Sequence, residues 1–174
     1  MTYRSGFLIL IVLLAGCATR ISAVDKRLIL PEGTSRYGMA AHQAFVYPVP
    51  LNNPTPAFPA GYAPRELPAT TLCVSFVVDA EGLPADVSPL AQAGCAAPES
   101  FAPLRDAVLS AVVGWRFKPA MFCDYPDAAT RDRDWNGNGC AGERVEARVV
   151  PVSLAYAFTF EVRDGQRRVA SAKQ

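Results

Sequence analysis

The hydrophobic and polar positions of residues 101–120 follow the period of a helix. Five apolar residues recur at steps of three and four, which places their side chains on one helical face. They are Phe101, Leu104, Val108, Val112 and Trp115. Gly114 lies just before the last of these residues and Pro119 lies beyond it, and glycine and proline at such positions are typical of a helix end. The pattern predicts an amphipathic helix that ends in the segment WRFKPA.

Two other stretches have the period of two that is typical of strands. From Thr71 to Val78 apolar residues alternate with smaller or polar ones, and residues 79–82 (DAEG) have turn chemistry. A second strand is expected over residues 83–90. Residues 145–162 return to strand character, with six apolar side chains at alternate positions. These are Val150, Val152, Leu154, Tyr156, Phe158 and Phe160.

The predicted element order is therefore strand, strand, helix, strand. A helix that buries one face must pack against a neighbouring layer, and the natural layer here is the sheet. The sequence predicts an α+β fold with two layers, in which one main helix packs on one face of a small antiparallel sheet of about three strands.

The N-terminal residues indicate a route out of the cytoplasm. Arg4 precedes an apolar run over residues 7–15, which is too short to span a bilayer as a helix. The end of the run overlaps the sequence LAGC at residues 14–17, whose last residue is Cys17, and this sequence resembles the lipobox of bacterial lipoproteins. The resemblance implies cleavage before Cys17 and its acylation, palmitate included. The alternative is an ordinary signal peptide with an incidental cysteine.

Ala18, rather than aspartate, follows the cysteine. By resemblance to lipoprotein sorting in enteric bacteria, this implies anchoring in the outer membrane, facing the periplasm. We expect four regions along the chain. These are a signal peptide (1–16), a lipidated N-terminus with a flexible tether (17–46), a folded domain (47–162) with an insertion (121–143), and a basic, frayed tail (163–174).

The stretch from Tyr47 to Pro68 contains seven prolines. No helix or central strand tolerates that density, because proline lacks a backbone N–H and fixes φ. We expect this segment to lie extended across the domain. Phe58 and Tyr62 are its candidate docking side chains.

The remaining cysteines predict two disulfides. Without Cys17 the chain has Cys73, Cys95, Cys123 and Cys140, and an even number in an oxidising compartment is typical of paired thiols. Three connectivities are open. We favour Cys73–Cys95 with Cys123–Cys140, because each of these pairs encloses one local loop of the chain. A zinc site is disfavoured, since no two cysteines have the C-x-x-C spacing.

The composition excludes several classes of function. The net charge of +1 gives no global field that would favour nucleic acid. The one histidine, His42, falls in the expected tether, so no catalytic triad or two-histidine metal site is available. Asp79 and Glu81 are expected in a solvated turn rather than as an acid–base pair. We therefore predict a protein that is not an enzyme and needs no organic cofactor.

The insertion contains one candidate metal site. Residues 132–143 (DRDWNGNGCAGE) fit the calcium-loop pattern, in which oxygen ligands converge on one cation around a sharp glycine turn. The candidate ligands are Asp132, Asp134, Asn136, Asn138 and Glu143. The flanking residues do not resemble the helices of an EF-hand. The alternative is a polar surface loop closed by a disulfide.

Several segments together resemble the C-terminal domain of TonB-type energy transducers. They are a PAFP entry at residues 56–59, the hairpin VSFVVDAEG at 74–82, the helix that ends in WRFKPA, and the strand from Val150 to Phe160. The resemblance covers residues 56–162, and WRFKPA is its most specific part. It implies a domain that binds a partner by strand addition at a sheet edge.

The expected edge lies in the last strand, at Val149, Val150, Val152, Ser153 and Leu154. The resemblance implies a TonB-dependent receptor or another periplasmic protein as partner. Three features depart from the family. Residues 121–143 are inserted where the family usually has a short loop. The chain has a sequence that resembles a lipobox in place of the transmembrane helix that engages a motor. Its tether of about 30 residues would reach roughly 100 Å at full extension.

Overall fold

The computed structural model describes residues 27–29 and 38–170, and these residues form ten strands and two α-helices. The first five strands are β1 (Arg27–Ile29), β2 (Gln43–Val46), β3 (Val49–Asn52), β4 (Leu67–Val78) and β5 (Pro84–Pro89). A 3-10 turn (Pro98–Phe101) leads into helix α1 (Ala102–Val113). Then follow β6 (Arg116–Lys118), β7 (Ala120–Asp124), α2 (Ala128–Asp134), β8 (Glu146–Val150), β9 (Val152–Arg163) and β10 (Gln166–Ala170).

The main sheet is antiparallel, with strand order β1-β9-β4-β5, and β10 also pairs with β9. β4 and β9 are its longest strands, and they pair from Val78↔Val152 to Leu67↔Val162. Helix α1 packs on one face of this sheet. The fold is α+β with one main helix on an antiparallel sheet, as predicted, although the sheet has five strands rather than about three.

The predicted apolar face of the helix is the face that is buried. Leu104, Val108 and Val112 are almost fully shielded from solvent, and Phe101 packs against the same core. They meet the alternate apolar residues of β4 and β9, because residues two apart on a strand point to the same side of the sheet. The side chains on the buried face of α1 and those on the inner face of β4 and β9 therefore form one layer.

Trp115 occupies the centre of this core. Its indole is fully buried, and its Nε1–H donates to the carbonyl oxygen of Pro54 at 2.9 Å. The Trp115 ring centroid lies 5.0 Å from that of Tyr156 and 5.9 Å from those of Phe76 and Phe158. Burial raises the pKa of the Tyr156 hydroxyl, because the phenolate form loses its solvation.

The proline-rich segment crosses the end of the same core, as expected. Phe58 packs edge-on against Phe160, with ring centroids 5.4 Å apart, and Tyr62 stacks on Phe58. Both predicted docking side chains thus contact the core. The guanidinium of Arg167 on β10 lies over the Phe58 ring, 5.7 Å from its centroid.

A second sheet, of order β2-β7-β8, carries the predicted insertion. One face of this sheet packs against residues that follow β7, and the shared side chains form a smaller core of Ala44, Val46, Cys123 and Tyr125, flanked by Met121, Trp135, Cys140 and Val145. The Cys123–Cys140 disulfide ties the insertion to β7. The other predicted disulfide, Cys73–Cys95, ties the loop after β5 back to β4. Both predicted pairings are confirmed.

The pairing of β3 with β6 continues the pairing of β2 with β7. Val46 lies opposite Met121, and three residues further on Val49 lies opposite Lys118. The two short ladders are therefore in one register, interrupted where Pro48 and Pro119 cannot donate a backbone hydrogen bond.

Two regions that we expected to be unstructured contain strands. The expected tether (17–46) contributes Arg27–Ile29 to the main sheet and Gln43–Val46 to the second. The expected frayed tail contributes Gln166–Ala170, which pairs with β9. Asp164 and Gly165 both have positive φ and form the turn between these strands. That Asp-Gly pair is a hairpin signal in the sequence, and the basic composition of the tail obscured it.

Gly82 is required where the β4–β5 turn meets β6. Its φ is +78°, and a Cβ placed there would lie 2.0 Å from the carbonyl oxygen of Phe117. The carbonyl oxygen of Gly82 also accepts a hydrogen bond from the Phe117 N–H, at 2.9 Å. The backbones therefore approach too closely for any side chain.

We predict that Gly82→Ala lowers the free energy of unfolding by more than about 2 kcal/mol, since backbone must shift as well as adopt a strained φ. Gly94 is a matched control, because its φ is +82° and a Cβ there would meet open space. Gly94→Ala should cost about 1 kcal/mol. Urea unfolding followed by tryptophan fluorescence measures both, and equal costs would contradict the close approach.

Candidate partner-binding edge

The predicted edge lies on one long strand that runs through both sheets. β8 pairs with β7 in the second sheet, and β9 pairs with β4 in the main sheet. Pro151 separates the two segments. The sequence predicted one continuous strand over residues 145–162, and the structure divides it at this proline because proline cannot donate to a ladder.

The side of β8 that faces solvent follows from the bonding of β7. In an antiparallel strand the N–H and C=O of one residue point to the same neighbour, and successive residues alternate between neighbours. The Tyr125 N–H donates to the carbonyl of His42, so odd-numbered residues of β7 face β2. Even-numbered residues of β7 therefore face β8, and Arg148 exchanges bonds with Phe122. The backbone groups of Ala147 and Val149 consequently point away from the sheet.

The same reasoning applies to β9. Leu90 and Ala96 donate to the carbonyls of Cys73 and Thr71, so odd-numbered residues of β4 face the β5 side. Even-numbered residues of β4 and β9 then bond to each other, and odd-numbered residues of β9 face outward. β1 pairs with residues 155–157 and β10 with residues 159–163 on that outer side. Among the described residues, none pairs with Ser153 there.

The outer edge of β8–β9 thus has two parts. Its C-terminal part is covered by β1 and β10, and its N-terminal part, residues 147–153, is open with respect to the described chain. We call this part the open edge. Of the predicted edge residues, Val149 and Ser153 direct their backbone groups outward, and both have exposed side chains. Val150, Val152 and Leu154 instead bond inward, to β7 and β4.

The other sheet edges carry features that discourage pairing. β5 begins at Pro84 and ends at Pro89, and it contains a bulge beside Asp86, whose φ is +51°. Prolines and bulges are the usual devices that block an exposed edge. The β2–β3 edge contains Pro48 and Pro50, neither of which has an N–H. The open edge has a single proline, at its centre.

The structure does not bring all five calcium-loop residues to one point, although Asp134 and Glu143 line one cavity beside α2 together with Arg133 and Arg144. Asp132 and Asp134 lie in helix α2, where residues two apart are separated by about 200° around the axis. Each carboxylate forms an ion pair with the arginine that precedes it. Hydrogen bonds from Arg133 hold the pKa of Asp134 below its usual range. Within residues 27–29 and 38–170, no three acidic, histidine or cysteine side chains form a group that could hold a metal.

The other candidate ligands have local roles or face solvent. The Oδ1 atom of Asn136 accepts the N–H of Asn138 at 2.9 Å and closes a turn. Glu143 is exposed in a later turn. The expected loop is partly helical because Asp127 caps α2, with its carboxylate accepting the Thr130 N–H at 2.7 Å. Calcium binding stays an untested prediction, and no contact among the described residues favours it.

The remaining predicted residues can be placed briefly. Cys17 lies outside the described residues. His42 lies in the turn before β2, where its carbonyl oxygen accepts the Tyr125 N–H at the end of the β2–β7 ladder. Asp79 closes the β4–β5 turn, since its Oδ1 atom accepts the N–H groups of Glu81 and Leu83. None of the helices in the described part of the chain is long and apolar enough to cross a membrane.

Comparisons of the chain with protein-family models, with curated proteins and with solved structures find no match.

The cap of α2 leads to a prediction about pH. The hydrogen bonds from Thr130 lower the pKa of Asp127, so the ionised cap stabilises the folded state. A lowered pKa contributes stability that is present above the unfolded value of about 4 and is lost as the pH falls through the folded value. We expect Asp127→Ala to be less stable than wild type at pH 7, with the difference shrinking below about pH 4.

Asp127→Asn is the matched control, because asparagine caps helices as well as aspartate does but does not titrate. It should keep most of the stability at pH 7. Urea unfolding followed by circular dichroism between acidic and neutral pH measures all three proteins. A difference between wild type and Asp127→Ala that does not change with pH would contradict the role of the carboxylate.

Proposed function

We propose that this chain is a non-catalytic lipoprotein of the bacterial envelope that binds a protein partner by strand addition at the open edge. The observation that carries the proposal is the outward direction of the backbone groups of Ala147, Val149 and Ser153, which have no partner among the described residues. Unpaired N–H and C=O groups in a row are a template for an extended peptide.

The same strand already accepts added strands. β1 and β10 both pair with the outer side of β9, and both pair antiparallel to it. An incoming peptide at residues 147–153 would extend this row toward β8. The exposed side chains of Val149 and Ser153 would then contact alternate side chains of the peptide, which is how strand addition acquires specificity.

The resemblance to the C-terminal domain of TonB-type energy transducers favours the same type of partner. On that basis we propose a TonB-dependent receptor or another periplasmic protein, in transport or in envelope organisation. The hairpin β4–β5, helix α1 with its WRFKPA ending, and strand β9 are the elements on which the resemblance rests. A direct connection to a membrane motor is not part of the proposal, because residues 14–17 resemble a lipobox and imply a lipid anchor.

The proposed location is the periplasmic face of the outer membrane, through acylated Cys17. The two disulfides support an oxidising compartment, because such bonds persist outside the cytoplasm. We propose the outer rather than the inner membrane because Ala18, and not aspartate, follows the cysteine.

Strand addition predicts a specific effect of Ser153→Pro. The Ser153 N–H faces outward, so proline removes a group needed by the added strand while leaving the β4–β9 ladder intact. Loss of this one backbone hydrogen bond should weaken partner capture by up to about tenfold. The measurement is capture from an envelope extract by wild type and by each variant.

Ser153→Ala is the control, because it changes the side chain but keeps the N–H. It should capture the partner nearly as well as wild type. A photo-crosslinking residue at Val149, compared with one at Asp106 on α1, locates the contact in intact cells. Undiminished capture by Ser153→Pro, or equal crosslinking from both positions, would count against strand addition.

Acylation gives a separate prediction. Cys17→Ser removes the thiol that would accept the lipid, so it should abolish the incorporation of labelled palmitate into the protein. It should also release the chain from the membrane fraction or leave it unprocessed. Labelling of the Cys17→Ser variant at the wild-type level would rule out the proposed anchor.

A further inference from the structure

The joint ladder of β3 and β6 presents a face that combines exposed apolar side chains with cations. In β6, Phe117 points into the main core, whereas Arg116 and Lys118 on either side of it are exposed. Val49 lies directly opposite Lys118, and directly opposed residues share one face. Because β2 and β3 are in one register, Tyr47 lies on this face as well.

Leu51 is the extra residue of the bulge opposite Arg116, and it completes the set. We call Tyr47, Val49, Leu51, Arg116 and Lys118 the basic–apolar face.

The apolar members are unusually exposed for their size. Tyr47 is 70%, Leu51 60% and Val49 47% accessible to solvent. They lie within five consecutive residues of one extended segment, which makes the exposure contiguous rather than scattered. Isolated exposed apolar residues need no explanation, but a contiguous group beside polar ones marks an interaction surface.

The two cations lack acidic partners. Neither Arg116 nor Lys118 forms an ion pair with a described carboxylate, whereas Arg105, Arg131, Arg133, Arg148 and Arg163 all do. Arg116 instead donates to the carbonyl oxygens of Trp115 and Gly114, at 2.6 and 3.4 Å, which fixes its guanidinium at the end of α1. The face is therefore locally positive on a chain whose net charge is only +1.

We propose that the basic–apolar face docks on an anionic lipid bilayer. A tyrosine, short aliphatic side chains and neighbouring cations are the composition that suits the headgroup boundary, where rings and methyl groups enter and ammonium or guanidinium groups meet phosphates. The five residues occupy neighbouring positions on or beside one two-stranded ladder and line neither the cavity beside α1 nor the cavity beside α2. This arrangement suits a planar lipid surface better than an inserted acidic side chain.

This docking is independent of the proposed strand addition. β3 extends β2, and β7 separates β2 from β8 in the second sheet. The basic–apolar face and the open edge therefore lie on different borders of the molecule. A domain resting on lipid through the first would keep the second available to a partner.

The test uses the full chain reconstituted in vesicles, with an environment-sensitive fluorophore at position 52 through Asn52→Cys. Asn52 is exposed and pairs with Arg116, so the label reports on the face without replacing a member of it. A label at Asp106 on α1 is the control position. The vesicles contain phosphatidylcholine alone or with phosphatidylglycerol.

The label at position 52 should shift to the blue and become protected from an aqueous quencher in phosphatidylglycerol vesicles, and added salt should reverse the change. Neutralising both cations, by Arg116→Gln with Lys118→Gln, should lower the ratio of docked to undocked protein about 30-fold. Neutralising Arg65 and Arg168, which are also exposed and without a described ion pair, changes the net charge equally and should leave docking unchanged.

Each other outcome overturns the proposal. An unchanged label in phosphatidylglycerol vesicles, or an equal response at position 106, means that this face does not dock. Equal losses in the two neutralised pairs mean a response to net charge alone. A response to soluble polyglutamate but not to vesicles means that the partner is an acidic polypeptide. Flotation with phosphatidylcholine vesicles reports the proposed acyl anchor separately, so failure of one proposal is distinguishable from failure of the other.

Discussion

The pairing of β4 with β9 is the constraint on which the rest of the structure depends. It aligns the alternate apolar residues of two long strands on one face, where Trp115 and helix α1 cover them. It also determines the direction of every backbone group on the other side of β9. The positions of β1 and β10, and the outward direction of Ser153, follow from this one ladder. A shift by one residue would bury polar side chains and reverse the edge.

The elements with a sustained period were predictable from the sequence, whereas short segments were not. Helix α1 and strands β4 and β9 have enough regularly spaced apolar positions to be recognised. β5 was expected because it follows the turn at residues 79–82, and the two disulfides follow from spacing. β1, β2 and β10 have only three to five residues each, which is too few for an alternating pattern to be recognised in the sequence. α2 was missed because Asp132 and Asp134 suggested ligands, and the cap at Asp127 was overlooked.

The candidate edge shows the same limit at the level of single residues. Alternation identifies two sets of positions along a strand, but it does not say which backbone groups face a neighbour. Val149 and Ser153 are distinguished from Val150, Val152 and Leu154 only when the bonding of β7 and β4 is known. The pairing of β3, and with it the exposed face formed by its apolar residues, was not predicted either. Its proline-rich sequence suggested a segment without regular pairing.

Because the fold contains two disulfides, its stability depends on whether the surrounding compartment is oxidising or reducing. They span 22 and 17 residues, and one joins the loop after β5 to β4 in the main sheet while the other joins the insertion to β7 in the second sheet. Closing loops of this size restricts the unfolded chain by about 3 kcal/mol each, and the sum is comparable to the whole net stability of a small domain. A chain with reduced thiols would therefore lose a large part of its free energy of unfolding. Oxidation would act as the step that commits it to the folded state.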